Sequence, residues 1–192
     1  MRDFEGHEND FLINTPAEIL ALQLDLLLLE NQLSYILLEG LYNLVTGSPS
    51  FIDLGFKFFR VQMFSQRAPK QKEFKHFTDL QRATLVENFP AEEYTKNYTV
   101  DISELHCATK LQESGVKFRC ASGEGRLLVI RFEQGELRIP QLSVFHETDT
   151  MLQNIMALEQ CRYPRYSLVV CAYVRLLDSL IEDKRDAQLL VD

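Results

Sequence analysis

The stretch "DLLLLENQLSYILLEGLYNLV", residues 25–45, decides the fold. Four consecutive leucines are followed by Glu30-Asn31-Gln32 and then by a second apolar run. Successive residues of an α-helix are about 100° apart, so four leucines in a row point around most of its circumference. A helix that is apolar on every side has to be surrounded. We therefore predict that the protein's own helices wrap this stretch on all sides.

The same stretch does not have the pattern of a membrane span. Asp25 and the polar triplet at 30–32 interrupt every window of about 18 apolar residues. Burying four leucines contributes about 6–12 kcal/mol, which rivals the roughly 5–15 kcal/mol net stability of a whole domain. Residues 25–45, together with 151–182, are thus expected to form the core. Asp25 must be paired or reach solvent, because an unpaired buried carboxylate would offset much of that gain.

Composition bounds the class of protein. A chain of 192 residues with 46% hydrophobic residues has the length and apolar content of one globular domain. The net charge of −8 argues against nucleic acid as a partner of the whole chain, because binding phosphates needs a basic face. The acidic N-terminus is not a secretory signal. The four cysteines form no CxxC pair and are expected to be reduced, buried thiols, which indicates an intracellular protein.

The first half of the chain is predicted to be helical. Thr15-Pro16-Ala17-Glu18 has the form of a capping box and should open a helix that runs to about Leu29. Asn31 is the expected N-cap of a second helix, about 33–46. Two further helices are expected at 50–64 and 73–88. Flexible loops are expected at 65–75 and 88–99.

The second half is predicted to combine helices with a small sheet. A helix should run from about Asp101 to Ser114, after which the apolar period changes to two. Strands are expected at 116–120, 127–132 and 137–139, with a hairpin at 133–136, giving an antiparallel three-strand element near 116–140. Helices should follow at 151–161, opened by a capping box at Thr150, and from Ser167 to about Glu182.

The fold class is therefore α+β and mostly α-helical, and residues 1–192 are treated as a single domain. Asp186 begins one more amphipathic run that has presented only Leu189 and Leu190 when the sequence stops. On this ground the chain is expected to be an incomplete piece of a longer domain.

Two surface features are candidate sites. Residues 57–82 hold seven basic and two acidic residues, a net charge of +5, and could form a patch for an acidic partner or anionic lipid. The basic residues are Lys57, Arg60, Arg67, Lys70, Lys72, Lys75 and Arg82. The alternative for this window is a solvated loop. Asn97 begins an Asn-Tyr-Thr triplet, which is a glycosylation signal only in the secretory route.

The sequence contains no recognisable catalytic motif. Glu30, His106 and Cys107 are the candidates for an unrecognised hydrolase or transferase, but His106 and Cys107 diverge by about 100° on a helix and cannot pair with each other. The stretch His146-Glu147-Thr148-Asp149 precedes a helix and is interpreted as capping rather than as a metal site. No cofactor and no metal are expected.

Three stretches carry a family resemblance, which covers the chain from about His7 to Asp192. They are "DLLLLENQLSYILLEGLYNL" at 25–44, "LHCATKLQESGVKF" at 105–118 and "GELRIPQLSVFHETDTMLQNIMALEQC" at 135–161. In order, spacing and wording the chain resembles the plant domain-of-unknown-function 247 family. It departs from the family pattern at Ser34, where the family usually has proline, and at Gln23-Leu24, where a basic residue is common. The second departure removes a counter-ion for Asp25.

The resemblance implies a plant protein without established enzyme activity. Members of the family are typically about twice this length and usually end in a hydrophobic helix that looks membrane-spanning, and some grass members are associated with pollen-side recognition. The function predicted is thus a non-enzymatic interaction module with a protein partner. It is expected to be held at a membrane, most simply the plasma membrane, through a C-terminal segment that this chain lacks. The chain itself is expected to be soluble. An intracellular adaptor that uses the basic patch at 57–82 is the other alternative.

Overall fold

The computed structural model describes residues 15–46, 50–60, 69–70, 73–87, 89–90, 105–121 and 127–191. These residues form eight α-helices and three β-strands. The helices are α1 (Pro16–Leu27), α2 (Tyr35–Thr46), α3 (Phe51–Phe58), α4 (Phe77–Val86), α5 (Ala108–Glu113), α6 (Thr148–Arg162), α7 (Val169–Leu180) and α8 (Lys184–Val191). The strands are β1 (Lys117–Ala121), β2 (Arg131–Glu133) and β3 (Glu136–Pro140), and short 3₁₀ helices lie at Leu29–Asn31 and Arg165–Ser167. The prediction of a mostly helical α+β fold is confirmed.

Helix α1 begins as its sequence predicts. The Thr15 hydroxyl accepts a hydrogen bond from the Glu18 backbone N–H at 3.3 Å, and the Glu18 carboxylate accepts one from the Thr15 N–H at 2.8 Å. These reciprocal bonds form a capping box, with Pro16 at the first helical position, where its missing N–H costs nothing. The start of this helix is therefore encoded locally.

The predicted N-cap of the second helix is wrong. Asn31 ends the 3₁₀ helix, and α2 begins four residues later at Tyr35. The Ser34 carbonyl accepts the first backbone bonds of α2, from Leu37 and Leu38. Asn31 is instead engaged with Asp25, at the end of the preceding helix. An N-cap needs its own side chain beside the free N–H groups, and Asn31 points back toward α1.

Contacts between Cα atoms divide the chain into two compact units, residues 1–84 and 85–192. The core of the first unit is aromatic and comes largely from α3, α4 and the residues beside them. Tyr35, Phe59, Phe74 and Leu80 are all buried, and Phe51 and Phe77 pack against them. Gly55 is buried where α3 approaches α4, and a Cβ at that position would lie 3.3 Å from a ring carbon of Phe77. The glycine therefore permits this close approach.

The leucine run contributes less to that core than the sequence predicts. Of Leu26 to Leu29 only Leu27 is fully buried, and the other three are half-buried. Most of the second apolar run is exposed, so the prediction that helices wrap residues 25–45 on all sides is wrong. The physical reason is the bulk of the phenylalanine rings, which fill the space beside Leu27 and Tyr35 and leave the far side of α2 uncovered. The other predicted core segment, 151–182, does supply buried side chains to the second unit, including Ile155, Leu158, Val170 and Leu180.

The three-strand sheet of the second unit is mixed, with strand order β1-β3-β2. Strands β2 and β3 pair antiparallel through a tight turn, as predicted, and Gln134 (φ +53°) and Gly135 (φ +79°) have the positive φ that a type I′ turn requires. Strand β1 pairs with β3 in parallel, from Lys117 opposite Glu136 to Ala121 opposite Pro140. The prediction of a wholly antiparallel element is thus wrong for this pair. Leu128 and Val129, expected in a strand, are instead buried ahead of β2.

Helices α6, α7 and α8 begin with contacts other than those predicted. Helix α6 starts at Thr148, whose hydroxyl accepts the Phe145 N–H at 2.8 Å, so the predicted capping box at Thr150 is wrong. Helix α7 starts at Val169, and Ser167 lies in the preceding 3₁₀ helix and does not cap it. Asp183 caps α8 by accepting the N–H groups of Arg185 and Asp186.

The single-domain prediction stays a prediction. The expected loops at 65–75 and 88–99 lie mostly outside the described residues. Among their described residues, Phe74 is buried in the aromatic core, and the carbonyl of Lys75 accepts the Tyr35 N–H at 2.7 Å. This bond fixes the start of α2 beside the segment that leads into α4.

Candidate functional site

The polar triplet between the two apolar runs joins α1, α2 and α4. Gln32 donates from its side-chain nitrogen to the carbonyls of Leu26 and Leu28, both at 2.7 Å, and its side-chain oxygen accepts the Thr78 N–H at 3.3 Å. The Thr78 hydroxyl donates to the Leu27 carbonyl at 3.0 Å. These backbone groups lie at the end of α1, just after it and in the first turn of α4, where a helix leaves N–H and C=O groups without helical partners. The Leu28 carbonyl also accepts the Asn31 N–H. The side-chain amide of Gln32 therefore supplies hydrogen-bond partners to backbone groups at the ends of two helices. This agrees with its predicted position at a helix joint.

The carboxylate of Asp25 accepts a hydrogen bond from a neutral side chain. The Asn31 side-chain nitrogen lies 2.8 Å from an Asp25 carboxylate oxygen and 3.3 Å from the Asp25 carbonyl, and the aspartate is exposed. The expectation that Asp25 is paired or reaches solvent is confirmed on both counts. Glu30, the acid of the triplet, is also exposed. Acid and amide groups here shape the turn between two helices.

Replacing Gln32 by alanine should lower the free energy of unfolding by about 1–3 kcal/mol, because the Leu26 carbonyl and the Thr78 N–H lose the Gln32 side chain as a partner in a half-buried position. Asn31→Ala is the matched control: it removes an exposed amide and should cost no more than about 0.5 kcal/mol. Urea unfolding followed by circular dichroism measures both. Equal losses for the two variants would contradict the joint assigned to Gln32.

The most unusual surface of the described residues is an apolar face on α2 and the residue pair before it. We call it the α2 face, and its side chains are 61–84% exposed: Leu33, Ile36, Leu37, Leu41, Leu44 and Val45. Spacings of three, four and seven residues place most of them along one side of the helix. Together they expose on the order of 700 Å², which exceeds the few hundred Å² that most soluble monomers leave in one apolar patch. A patch of this size is a candidate binding surface.

Tyr35 holds α2 against the aromatic core from the side opposite this face. It is 2% exposed, and its ring centroid lies 5.1 Å from that of Phe51 and 5.7 Å from that of Phe77. Burial raises the pKa of the Tyr35 phenol, and the charges of Glu39 and Asp53 raise it further, so the hydroxyl stays neutral. The α2 face is therefore presented on a fixed helix.

Charge is scarce on α2. Glu39 is its one charged residue, it is half-buried, and no lysine or arginine occurs between Tyr35 and Thr46. The helix consequently has no basic group for a phosphate or an anionic lipid headgroup. The chemistry of the α2 face suits an apolar partner surface.

The predicted basic patch is only partly at the surface. Lys57, Arg60, Lys70 and Lys75 are exposed, whereas Arg82 is buried on α4 and cannot contribute to a surface patch. Arg67 and Lys72 lie outside the described residues, as does Asn97 with its glycosylation triplet. The patch and the glycosylation site both stay predictions.

The candidate catalytic residues differ in their exposure, and Glu30 lies in the first unit while His106 and Cys107 lie in the second. His106 is exposed and Cys107, the next residue, is buried. Within the described part of the second unit, no hydrogen bond or ion pair joins His106 to Cys107. In the same part of the chain no group of three His, Cys, Asp or Glu side chains could hold a metal ion.

The four cysteines are free, and the prediction that all are buried is right for two. Cys107 and Cys171 are buried, while Cys120 on β1 and Cys161 on α6 are exposed. Burial raises the pKa of the Cys171 thiol, and the nearby carboxylate of Glu159 raises it further. Cys171 is therefore held in the less reactive, protonated form.

Sequence reasoning missed two buried carboxylates that cap helices from outside. Glu159 of α6 accepts the N–H groups of Val170 and Cys171 at the start of α7, at 3.3 and 3.0 Å. Asp186 of α8 accepts the N–H and hydroxyl of Thr109 at the start of α5, and also the N–H groups of Glu182 and Asp183. The bonds from Thr109 hold the pKa of Asp186 well below its usual range. These carboxylates tie the helices of the second unit together.

The described residues define a class by fold: a mostly helical α+β protein with an exposed apolar face on α2. The chain belongs to the plant domain-of-unknown-function 247 family, described as a plant protein of unknown function, whose family model matches residues 1–192. It is similar to the UPF0481 protein At3g47200 of Arabidopsis thaliana, with 26% identity over 207 aligned residues covering 94% of this chain and 43% of that protein. The chain thus spans less than half the length of this curated relative. No solved structure matches it.

Within the described ranges, none of the helices has both the length and the apolar character needed to cross a membrane.

Proposed function

We propose that this chain is a non-enzymatic interaction module of a plant protein, and that the α2 face is its docking surface. The observation that carries the proposal is the exposure of five large aliphatic side chains on one fixed helix and of Leu33 just before it. Leaving such an area in water is unfavourable by about 25 cal/mol per Å² of apolar surface, so a partner that covers it gains that free energy. The family resemblance extends the proposal to the full-length protein, which would be held at the plasma membrane by a C-terminal helix.

A protein partner fits this surface better than the alternatives. Recognition of an amphipathic helix through anchors at positions i, i+3, i+4 and i+7 is a recurrent mode of protein association. Nucleic acid and anionic membrane both need basic groups, which α2 lacks. A catalytic role for His106 and Cys107 as a pair is disfavoured, because the two neighbours differ in burial: His106 is exposed and Cys107 is buried.

The test is proximity labelling of the full-length protein in the plant, comparing two variants that add the same charge. Leu37→Glu places a carboxylate in the α2 face, where a partner would have to bury it, and should reduce labelling of specific partners at least about tenfold. Ala21→Glu is the matched control, at an exposed position of α1, and should leave labelling unchanged. Labelling that is equal in the two variants would refute the α2 face as the docking surface.

A further inference from the structure

We infer that the partner covering the α2 face is a second copy of this chain, packed helix against helix across Gly40. The inference rests on the proposed function and adds the identity of the occupant. Three observations on α2 support it: an unexplained glycine, the arrangement of side chains on either side of it, and the area and charge of the face.

No contact among the described residues explains Gly40. It lies in the interior of α2 and is exposed, its φ is not in the positive region, and a Cβ added there would meet no described atom within 4 Å. Glycine in a helix interior is less stabilising than alanine. The room that this glycine leaves is therefore available to a group other than the described residues of its own chain. A residue without a side chain lets the backbone of a second helix come closer than the usual 8–10 Å between helix axes.

The side chains around Gly40 are self-complementary. Ile36 and Leu44 lie one turn before and one turn after it on the same side of the helix, and both are exposed. When two copies of α2 cross antiparallel at Gly40, Ile36 of each copy packs beside Leu44 of the other. A two-fold axis through the crossing point makes the two contacts identical, which is the arrangement of a closed symmetric dimer.

The area and charge of the α2 face agree with this occupant. An exposed area on the order of 700 Å² per copy approaches the about 800 Å² that each partner buries in a standard stable interface. Glu39, the single charge of α2, is half-buried, so no row of like charges opposes a second copy at the contact. The net charge of −8 repels the two copies at longer range, and salt screens this repulsion. Dimerisation should therefore strengthen with salt, whereas binding to a basic partner would weaken.

Sedimentation velocity of the 192-residue chain tests the inference. We expect a monomer–dimer equilibrium between roughly 1 and 100 µM that shifts toward dimer when salt is raised from about 0.05 to 0.5 M. Gly40→Ala should weaken the dimer about tenfold while raising the melting temperature of the monomer, since alanine favours the helix but pushes the two backbones apart. Leu37→Glu should abolish the dimer, and Ala21→Glu should leave it intact.

Different results would overturn the dimer and the docking function of the α2 face. A chain that stays monomeric at every concentration and salt overturns the dimer. If Leu37→Glu still removes labelled partners from the full-length protein, the proposed docking function stands with another protein as occupant. A dimer that neither Gly40→Ala nor Leu37→Glu weakens would also overturn the inference, because its contact would lie elsewhere. If labelling is then equally insensitive to Leu37→Glu, the docking function falls as well.

Discussion

Replacing Glu159 by alanine is expected to lower the free energy of unfolding of the second unit by about 2–5 kcal/mol. The side chain is 0% exposed, and its two oxygens accept the first N–H groups of α7, from Val170 and Cys171, which are themselves buried. Helix α7 has no side-chain cap of its own at Leu168. Alanine would leave two buried donors without an acceptor and remove a negative charge from the positive end of the helix dipole.

Two further variants, each replacing a glutamate, serve as controls for Glu159→Ala. Glu159→Gln keeps one oxygen acceptor and the shape of the side chain but loses the charge, so it should cost roughly half as much as alanine. Glu113→Ala removes an exposed glutamate from the last turn of α5 and should change stability by no more than about 0.5 kcal/mol. Urea unfolding gives the free energies, and amide hydrogen exchange should show the loss of protection concentrated in α7. A loss below about 1 kcal/mol for Glu159→Ala would contradict the capping role.

Signals that act within a few residues predicted the structure well. The capping box at Thr15 and the hairpin between β2 and β3 are both closed by residues no more than a few positions apart, so their chemistry can be read from the sequence. The joint at Gln32 was also predicted as a joint, although its bond to Thr78 was not. The fold class follows from such local signals, since each helix and strand has its own apolar period.

Long-range partners could not be predicted in the same way. The carboxylate of Asp186 accepts the N–H of Thr109, 77 residues earlier, in the first turn of α5. The carboxylate of Glu159 accepts the N–H of Cys171, 12 residues later, in the first turn of α7. A residue nearer in sequence gave a competing local signal in each case: Asp101 for α5 and Ser167 for α7. The parallel pairing of β1 with β3 has the same origin, because turn residues show which strands are consecutive and not which strands become neighbours.

The candidate site was missed because periodicity loses its meaning on a helix that is apolar almost all the way round. Nine of the thirteen residues at 33–45 have large aliphatic or aromatic side chains, and sequence alone does not tell which arc of the helix faces the core. Tyr35 turned out to be the buried anchor, while Leu37, Leu44 and Val45 are exposed. The one signal that could have found the face is Gly40, an isolated glycine inside a helical pattern.

Phe59→Ala is expected to lower the free energy of unfolding of the first unit by about 3–5 kcal/mol. The ring is 1% exposed, and its centroid lies 4.8 Å from that of Phe77 and 4.9 Å from that of Phe58, so its removal leaves a cavity and breaks two ring contacts. A loss of this size is a large part of the roughly 5–15 kcal/mol that stabilises a typical domain. Chemical denaturation followed by far-ultraviolet circular dichroism measures it.

The loss of stability in Phe59→Ala is to be compared with the loss in a variant of the leucine run. Leu28→Ala removes a half-buried side chain and should cost about 1 kcal/mol, and Phe145→Ala, at an exposed position of the second unit, should cost less than about 0.5 kcal/mol. The order Phe59, then Leu28, then Phe145 places the centre of the first unit among the aromatic rings beside α3 and α4. If Leu28→Ala proved as damaging as Phe59→Ala, the leucine run would be the centre of the core after all. The aliphatic side chains of α2 would then be needed there, and they could not at the same time form an exposed docking face.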